Sequence, residues 1–316
     1  VEGLPELFDI PQSCISLRTS QIAVISPAGR RYELDFEGMS LWRAKYDQHL
    51  ARLAVKSGAE LRTGTRVRRV SSKGVETDVD LIRAKVIIGA DGPLSIVRRS
   101  MGVPAPEELS VCFQYTVQGD YGDVVEMYFG KVAPGGYTWV IPKGDGANLG
   151  LGLPPGHSKR TLRSRLDEFI SQFGAHDRPK LETSGLVPSS GPVSETVRGN
   201  VLLCGDAAGH VMATNGGGIP LAVVCGRAAG AGAAAFIKGR RPLREYEKRW
   251  KAEVGDVLTN ALHVKKLADW WLWSDILIDI AMMLIGKTGI RKSLTCKKLL
   301  GVYLNHPVAL LHVESR

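Results

Sequence analysis

The chain has 316 residues, 44% hydrophobic and 23% charged with 36 glycines, enough for a substantial core and two domains and ordinary for a soluble globular protein. Lys and Arg number 41 against 32 Asp and Glu, a formal charge of +9 that suits a phosphate-bearing ligand or a membrane surface; no interleaved basic and aromatic residues point to nucleic acid. The 5 cysteines (Cys14, Cys112, Cys204, Cys225, Cys296) are scattered and include no Cys-x-x-Cys pair, so neither a metal site nor a disulfide framework is signalled, and a reducing, cytoplasmic setting is expected.

In chain order, residues 1–14 read as loop, with Pro5 and Pro11 and no signal-peptide pattern. Residues 21–25 and 31–36 alternate around Pro27-Ala28-Gly29, which predicts a hairpin. Residues 43–56 space Leu50, Leu53 and Ala54 three and four apart and stop at Gly58, the pattern of a helix closed by glycine. Strand-like segments follow at 60–63, 66–71 and 75–81. Residues 85–92 read as a buried strand ending in Gly89-Ala90-Asp91-Gly92; Asp-Gly alone is a common turn dipeptide. A short helix at 95–100 carries Arg98 and Arg99, a solvated face on the plain reading and a cofactor-phosphate contact on the other.

From 108 to 153 the pattern becomes repeated short strands (111–118, 124–129, 137–141, 147–153), which predicts an antiparallel sheet separate from the parallel one. Alternation puts Tyr137 and Trp139 on one face, where they line a pocket or fill a core; the pattern alone favours core. Residues 158–173 carry Leu162, Leu166, Phe169, Ile170 and Phe173 at helical spacing, and 181–187 read as a strand returning to the first domain.

The densest chemistry lies at 200–230. A short apolar strand, Val201-Leu202-Leu203-Cys204, closes on Gly205 with Asp206 at its carboxyl end, and Asn215-Gly216-Gly217-Gly218 leads into an Ala- and Val-rich helix. Ligands of α/β sheets bind beyond the carboxyl ends of strands. Helix amino termini attract negative charge, and glycines let backbone approach a flat ring. The plainer alternative is an ordinary connection in which Asp206 caps a turn; a second strand–glycine–acid ending at Asp91 makes a cofactor cradle the more specific reading. His210 stands close by, but a lone histidine is more often structural, and no catalytic residue is assigned. Residues 242–264 predict a charged helix. Residues 267–285 are very apolar, with Trp270, Trp271 and Trp273; Asp269, Asp275 and Asp279 argue against a membrane span. Lys265 and Lys266 precede this segment, and Lys287, Arg291, Lys292, Lys297 and Lys298 follow, so it is either a helix lying in a lipid interface or one packed on the domain or in a dimer contact.

Four stretches, in order over roughly residues 20–236, resemble the geranylgeranyl reductases, FAD-dependent enzymes of the p-hydroxybenzoate hydroxylase fold that saturate isoprenoid double bonds. Leu41-Trp42-Arg43-Ala44-Lys45-Tyr46-Asp47 is similar to that family's Asp-Arg-x-x-Phe-Asp segment, with Trp42 in place of the first Asp. Gly89-Ala90-Asp91-Gly92 resembles its Asp-Gly element. Tyr137-Thr138-Trp139-Val140-Ile141-Pro142 resembles its Tyr-x-Trp-x-Phe-Pro substrate motif, which turns the reading of the two aromatics from core to pocket. Gly205-Asp206 with Gly216-Gly217-Gly218-Ile219 resembles the element holding the ribityl chain and ring. The family opens with a G-x-G-x-x-G strand–helix unit that this sequence does not contain, so a fragment is expected.

The resemblance implies an α/β (α+β) fold: a Rossmann-like FAD-binding domain lacking its first βαβ unit (1–108 and 186–240, with 20–36 pairing with the other sheet), an antiparallel-sheet substrate domain (109–185) and C-terminal helices (241–316). It implies FAD held by Arg43, Asp91, Gly92, Gly205, Asp206, Gly216, Gly217, Gly218 and Ile219, and a prenyl lipid, digeranylgeranylglycerophospholipid, against Tyr137, Trp139 and Pro142. It further implies an external electron donor of the NAD(P)H or ferredoxin type and a cytoplasmic protein, with a peripheral membrane contact as one reading. The alternatives are a flavin monooxygenase or halogenase of the same fold and a flavin-free protein that retains the prenyl-lipid pocket.

Overall fold

A computed structural model describes residues 10–71, 74–156, 160–174 and 181–296. The expectations on Pro5, Lys297 and Lys298 lie outside them. After a turn at Gln12–Cys14 the chain forms β1 (Ile15–Ile25) and folds back as β2 (Arg31–Leu41). Gly29, at φ +78°, closes the hairpin, and Ser26 N–H donates to the Arg30 carbonyl at 3.0 Å. The hairpin reaches well beyond 21–25 and 31–36, because a register shift between Thr19 and Gln21 breaks the period-two pattern in its outer half.

Next come α1 (Arg43–Lys56) and a small antiparallel sheet of β3 (Val67–Ser71), β4 (Gly74–Thr77) and β5 (Leu81–Ile82). The strand expected at 60–63 is absent: Leu61 is exposed and Gly58 and Gly64, both at positive φ, bracket a segment with nothing to bury against. Then follow β6 (Ile87–Gly89), α2 (Ile96–Ser100), β7 (Leu109–Gln118), β8 (Val125–Tyr128), β9 (Tyr137–Lys143) and β10 (Gly146–Leu153). Helix α3 (Leu162–Phe173) begins later than expected, because Thr161 caps it by accepting from Ser164 N–H at 3.1 Å. The remaining elements are β11 (Leu181–Pro188), β12 (Val197–Arg198), β13 (Val201–Leu203), α4 (Ile219–Ile237), α5 (Glu245–Trp250), α6 (Asp256–Ala268) and α7 (Asp275–Thr295). A π turn at Lys251–Gly255 joins α5 to α6.

The large sheet has the order β11-β7-β10-β9-β8-β1-β2, antiparallel except where β1 runs parallel to β8. Strand β11 therefore pairs with β7 at the edge of this sheet, whereas a return to the first domain was expected; the chain crosses over only after Pro188. A smaller sheet has the order β12-β13-β6, with β13 and β6 parallel.

Side-chain alternation directs the cores on either face of the two sheets. On one face of the large sheet, Leu149, Leu151 and Leu153 of β10 pack with Leu166 and Phe169 of α3. The other face, with Val24, Met127 and Trp139, packs on Ile278, Met282 and Ile290 of α7. In the small sheet Leu203 turns towards Val97 and Met101 by α2, and Leu202 towards α4 and Tyr246, Trp250 and Leu258 of the following helices. Strand β10 shows why its sequence alternates: the leucines fill the α3 side, while Gly150 and Gly152 leave the opposite side bare, so that the Trp139 indole lies across them. A Cβ on Gly150 would stand 2.5 Å from that ring.

Candidate active site

The two acid-tipped strands are neighbours. Val201 pairs with Ile87 and Leu203 with Gly89 in parallel, so Asp91 and Asp206 emerge at one carboxyl edge. Their carboxylates have different partners. Asp91 accepts from Ser95 Oγ at 2.5 Å and from the N–H groups of Ile96 and Val97 at 2.7 and 3.2 Å, which caps α2. Gly92, at φ +79°, makes the turn that lets it reach back. Arg98 belongs to the same turn: it is only 2% exposed and donates to the Pro93 carbonyl at 2.8 Å, which corrects the solvated-face expectation. Burial pulls its pKa down and Asp91 opposes that. A five-residue helix wedged against the small sheet turns Arg98 inward and leaves Arg99 outside.

Asp206 sits in the turn Gly205–Ala208, between Gly205 at φ +61° and Gly209 at φ +70°. Its carboxylate faces the start of α4: a Cβ at Gly218 would stand 3.6 Å from Asp206 Oδ1. Helix α4 begins at Gly218 with no side-chain cap, so its first-turn N–H groups suit an electron-rich ligand. Ile219 packs on the cluster of Cys14, Leu41 and Tyr46, which brings the head of α1, and Arg43 with it, to the same corner. Arg43 holds Asp47 one turn further along, with contacts of 3.0 and 3.2 Å.

The glycine bend is organised by Asn215, 4% exposed, a residue that sequence reasoning passed over as part of the loop. Its Oδ1 accepts from Gly217 N–H at 3.0 Å, its Nδ2 donates to the Leu294 carbonyl at 3.1 Å, and its own carbonyl accepts from Tyr137 Oη at 2.6 Å. The bend, the aromatic strand and α7 thus meet at one residue. Gly216 takes φ +69° and lines the adjoining cavity.

That cavity is about 320 Å³ and nearly all apolar. Tyr137 and Trp139, ring centroids 5.7 Å apart, form its sheet wall, and Trp139 Nε1 donates to Gln114 Oε1 at 3.3 Å. Trp271, Leu272, Met282, Ile285 and Ile290 form the helical wall, and Met212, Ala213 and Thr214 the side towards the bend. Pro142 does not line it: near the end of β9 it faces away from Tyr137 and Trp139, and its carbonyl accepts from Ser40 Oγ at 2.8 Å. The helical wall was missed because its residues lie over 100 positions from the aromatic strand and look like ordinary helix. The polar lining is a chain: Ser110 Oγ donates to Ser189 Oγ at 2.9 Å, Ser189 donates to Glu108, and Lys265 reaches Glu108 at 3.1 Å and Asp269 at 2.8 Å. Burial alone pulls the Lys265 ammonium down, but its bonds to Asp269 and Glu108 outweigh that and hold its pKa above the ordinary lysine value. Burial pushes the Tyr137 phenol upwards, and the Cys112 thiol on the cavity wall up to about 12.

His210 is fully buried with its ring 4.5 Å from that of Trp250, and neither ring nitrogen has a partner among the described residues. Burial drops its pKa to about 3. It does not line the cavity. Among the described residues no group of His, Cys, Asp and Glu could hold a metal ion.

An acid-tipped parallel pair thus stands beside an antiparallel sheet that roofs an apolar cavity. The chain superposes on a probable FAD-dependent monooxygenase from Pseudomonas aeruginosa with a TM-score of 0.63, over 85% of this chain and 83% of that one; at 17% identity this speaks for the fold alone. It superposes on a geranylgeranyl bacteriochlorophyll reductase-like protein from Thermoplasma acidophilum with a TM-score of 0.77 and 25% identity, over 95% and 85% of the two chains. The profile of the geranylgeranyl reductase catalytic domain matches residues 108–186, the span of β7 to β11. The digeranylgeranylglycerophospholipid reductase of Methanocaldococcus jannaschii is 34% identical over 278 residues, 78% of this chain and 69% of that protein. The chain belongs to the geranylgeranyl reductase family. It is an oxidoreductase, and its cofactor class is a flavin.

Proposed function

We propose that the protein saturates carbon–carbon double bonds in the geranylgeranyl chains of an archaeal-type phospholipid precursor, using FAD and an external electron donor of the NAD(P)H or ferredoxin type. The observation that carries this reading is the bond from Tyr137 Oη to the Asn215 carbonyl, which joins the apolar cavity to the glycine bend. A prenyl chain presents only apolar surface, and a cavity with two aromatic rings on one wall and aliphatic helix residues on the other suits it.

The residues present suit the ring and ribityl end of a flavin. The uncapped start of α4 at Gly218 favours negative charge on a ring edge, Gly216 offers backbone without a Cβ, and Asp206 beside Gly218 is an acceptor for sugar-like hydroxyls. Gly217, Gly205 and Ile219 shape the same corner, and Arg43 supplies a cation there. Asp91 and Gly92 act through the turn they build. Bound FAD would supply a hydride to an isolated alkene, and a proton drawn from solvent would complete the saturation. Tyr137 positions the wall and excludes water; its hydroxyl donates to the Asn215 carbonyl, and burial keeps the phenol protonated. The same reading assigns 1–108 and 186–240 to the cofactor, 109–185 to the substrate and 241–316 to a C-terminal region whose helices α6 and α7 wall the cavity, in a cytoplasmic protein that works where its lipid lies.

The test is anaerobic turnover with a chemical reductant and a geranylgeranyl phospholipid, followed by mass spectrometry. Gain of two hydrogens per bond is expected; a product that needs dioxygen and gains one oxygen atom overturns the proposal in favour of a monooxygenase. Independently of turnover, Asp206→Ala is expected to weaken FAD binding, read by quenching of flavin fluorescence, by on the order of tenfold for one lost charge-assisted hydrogen bond.

A further inference from the structure

Helix α7 is apolar on two opposite sides, and only one of them faces protein. Ile278 and Met282 are buried against the large sheet. Asp275 and Asp279, two of the acids that argue in sequence against a membrane span, also turn inward. Asp279 accepts a short hydrogen bond from Ser26 Oγ and another from Ala28 N–H at 3.2 Å, and Asp275 lies against Gly130. What remains outside is a stripe at helical spacing, Ile276, Ile280, Met283 and Leu284, with exposures of 72%, 43%, 55% and 77%, and Trp270 beyond the helix end at 84%. A water-facing helix surface is normally polar, and contiguous exposed apolar patches mark interaction sites.

Charge identifies the partner. Gly286, at φ +58° and ψ −174°, a conformation essentially confined to glycine, bends α7 in two. The half before the bend carries the apolar stripe; the half after it carries Lys287, Arg291 and Lys292, all exposed. Arg30 contacts Met283 through Nη1 at 3.5 Å and adds a further cation at the rim. Exposed tryptophan and aliphatic side chains bordered by cations, with the nearby acids engaged inward, match the chemistry of an anionic lipid interface. The same helix contributes Met282, Ile285 and Ile290 to the cavity, so the face that meets lipid and the wall that would hold a prenyl chain are two sides of one element.

We propose that the outer face of α7, with Trp270, docks on an anionic bilayer, seating Ile276, Ile280, Met283 and Leu284 among acyl chains and Lys287, Arg291 and Lys292 on phosphates. This deepens the lipid-reductase reading and rests on it.

The test is flotation of the full chain, loaded with FAD, with vesicles of equal parts phosphatidylglycerol and phosphatidylcholine, and with phosphatidylcholine alone. Binding to the anionic vesicles that weakens with salt is expected. The variant Trp270→Ser/Ile276→Ser/Leu284→Ser is expected to lower the partition coefficient by on the order of a hundredfold, and Lys287→Gln/Arg291→Gln/Lys292→Gln by a similar factor with loss of the salt dependence. Both triples should reduce a detergent-solubilised substrate as well as the parent does. Three results overturn the proposal: parent and variants bind vesicles equally; the parent binds no vesicles and is a dimer that the apolar triple dissociates; or only a chain shortened by residues 297–316 binds, which would make that segment the cover of the patch. Vesicle binding without any reduction keeps the docking surface and sinks the reductase reading instead.

Discussion

Asn215 bonds through its side chain to Gly217 and Leu294 and through its backbone carbonyl to Tyr137, and so this one residue ties the glycine bend to α7 and β9. Removing one partner from a buried hydrogen bond leaves the other unsatisfied and costs about 1–3 kcal/mol. Tyr137→Phe is therefore expected to lower stability by about that amount in chemical denaturation. It should also slow lipid reduction, because the aromatic wall loses its fixed distance from the glycine bend. Unchanged stability would mean that the bond from Tyr137 to Asn215 contributes nothing. His210 makes a prediction in pH. Its folded pKa lies near 3, below the ordinary 6.5, so between those values the unfolded chain holds a proton that the folded chain refuses. Stability is intact above the upper value, falls as pH drops through the window by about 1.4 kcal/mol per unit, and levels off below the lower one. His210→Phe keeps a ring against Trp250 and cannot be protonated. Between pH 7 and pH 4.5, denaturation should show a smaller loss of stability for the variant than for the parent.

At the scale of elements, β10 explains how a tryptophan fits flat on a sheet. Its glycines on the Trp139 side are space, not flexibility, since a Cβ at Gly150 would lie 2.5 Å from both the indole and Gln114 Cβ. Gly150→Ala should force the indole out of place at about 1–3 kcal/mol, the usual cost of overpacking. The measurement is thermal melting together with a red shift of tryptophan emission; a variant as stable as the parent would mean that the indole has room to move. Helix α7 shows the complementary case, in which pinning acids and cavity residues share one side and leave the other bare. The Trp-rich segment before it is no continuous helix: α6 ends at Ala268, and a turn carries Trp270 and Trp271 in opposite senses, one outward and one to the cavity wall.

Across the whole molecule, all five cysteines are buried and free, although they come from three different cores. Burial pushes the Cys112 thiol to about 12 and the Cys204 thiol to about 11, far from the thiolate form that reacts. The folded protein at pH 8 should resist a thiol-specific reagent and release all five only in denaturant; rapid labelling of any of them in the native state would show a core that opens. Local patterns were legible where the cause is local. The helix at Arg43–Lys56, the glycine-ended strands with Asp91 and Asp206, the alternation of Tyr137 and Trp139 and the uncapped glycine bend all follow from neighbours within a few residues. What needed the folded chain depends on distant partners. Arg98 reads as a surface charge until the Pro93 turn encloses it, β11 shows its sheet only through β7, and Pro142 shares a motif with Tyr137 yet ends on the other side of the wall. Asn215, the helical wall of the cavity and the outward face of α7 are products of packing between segments more than 70 residues apart, and residue spacing carries no information about which surfaces close on one another.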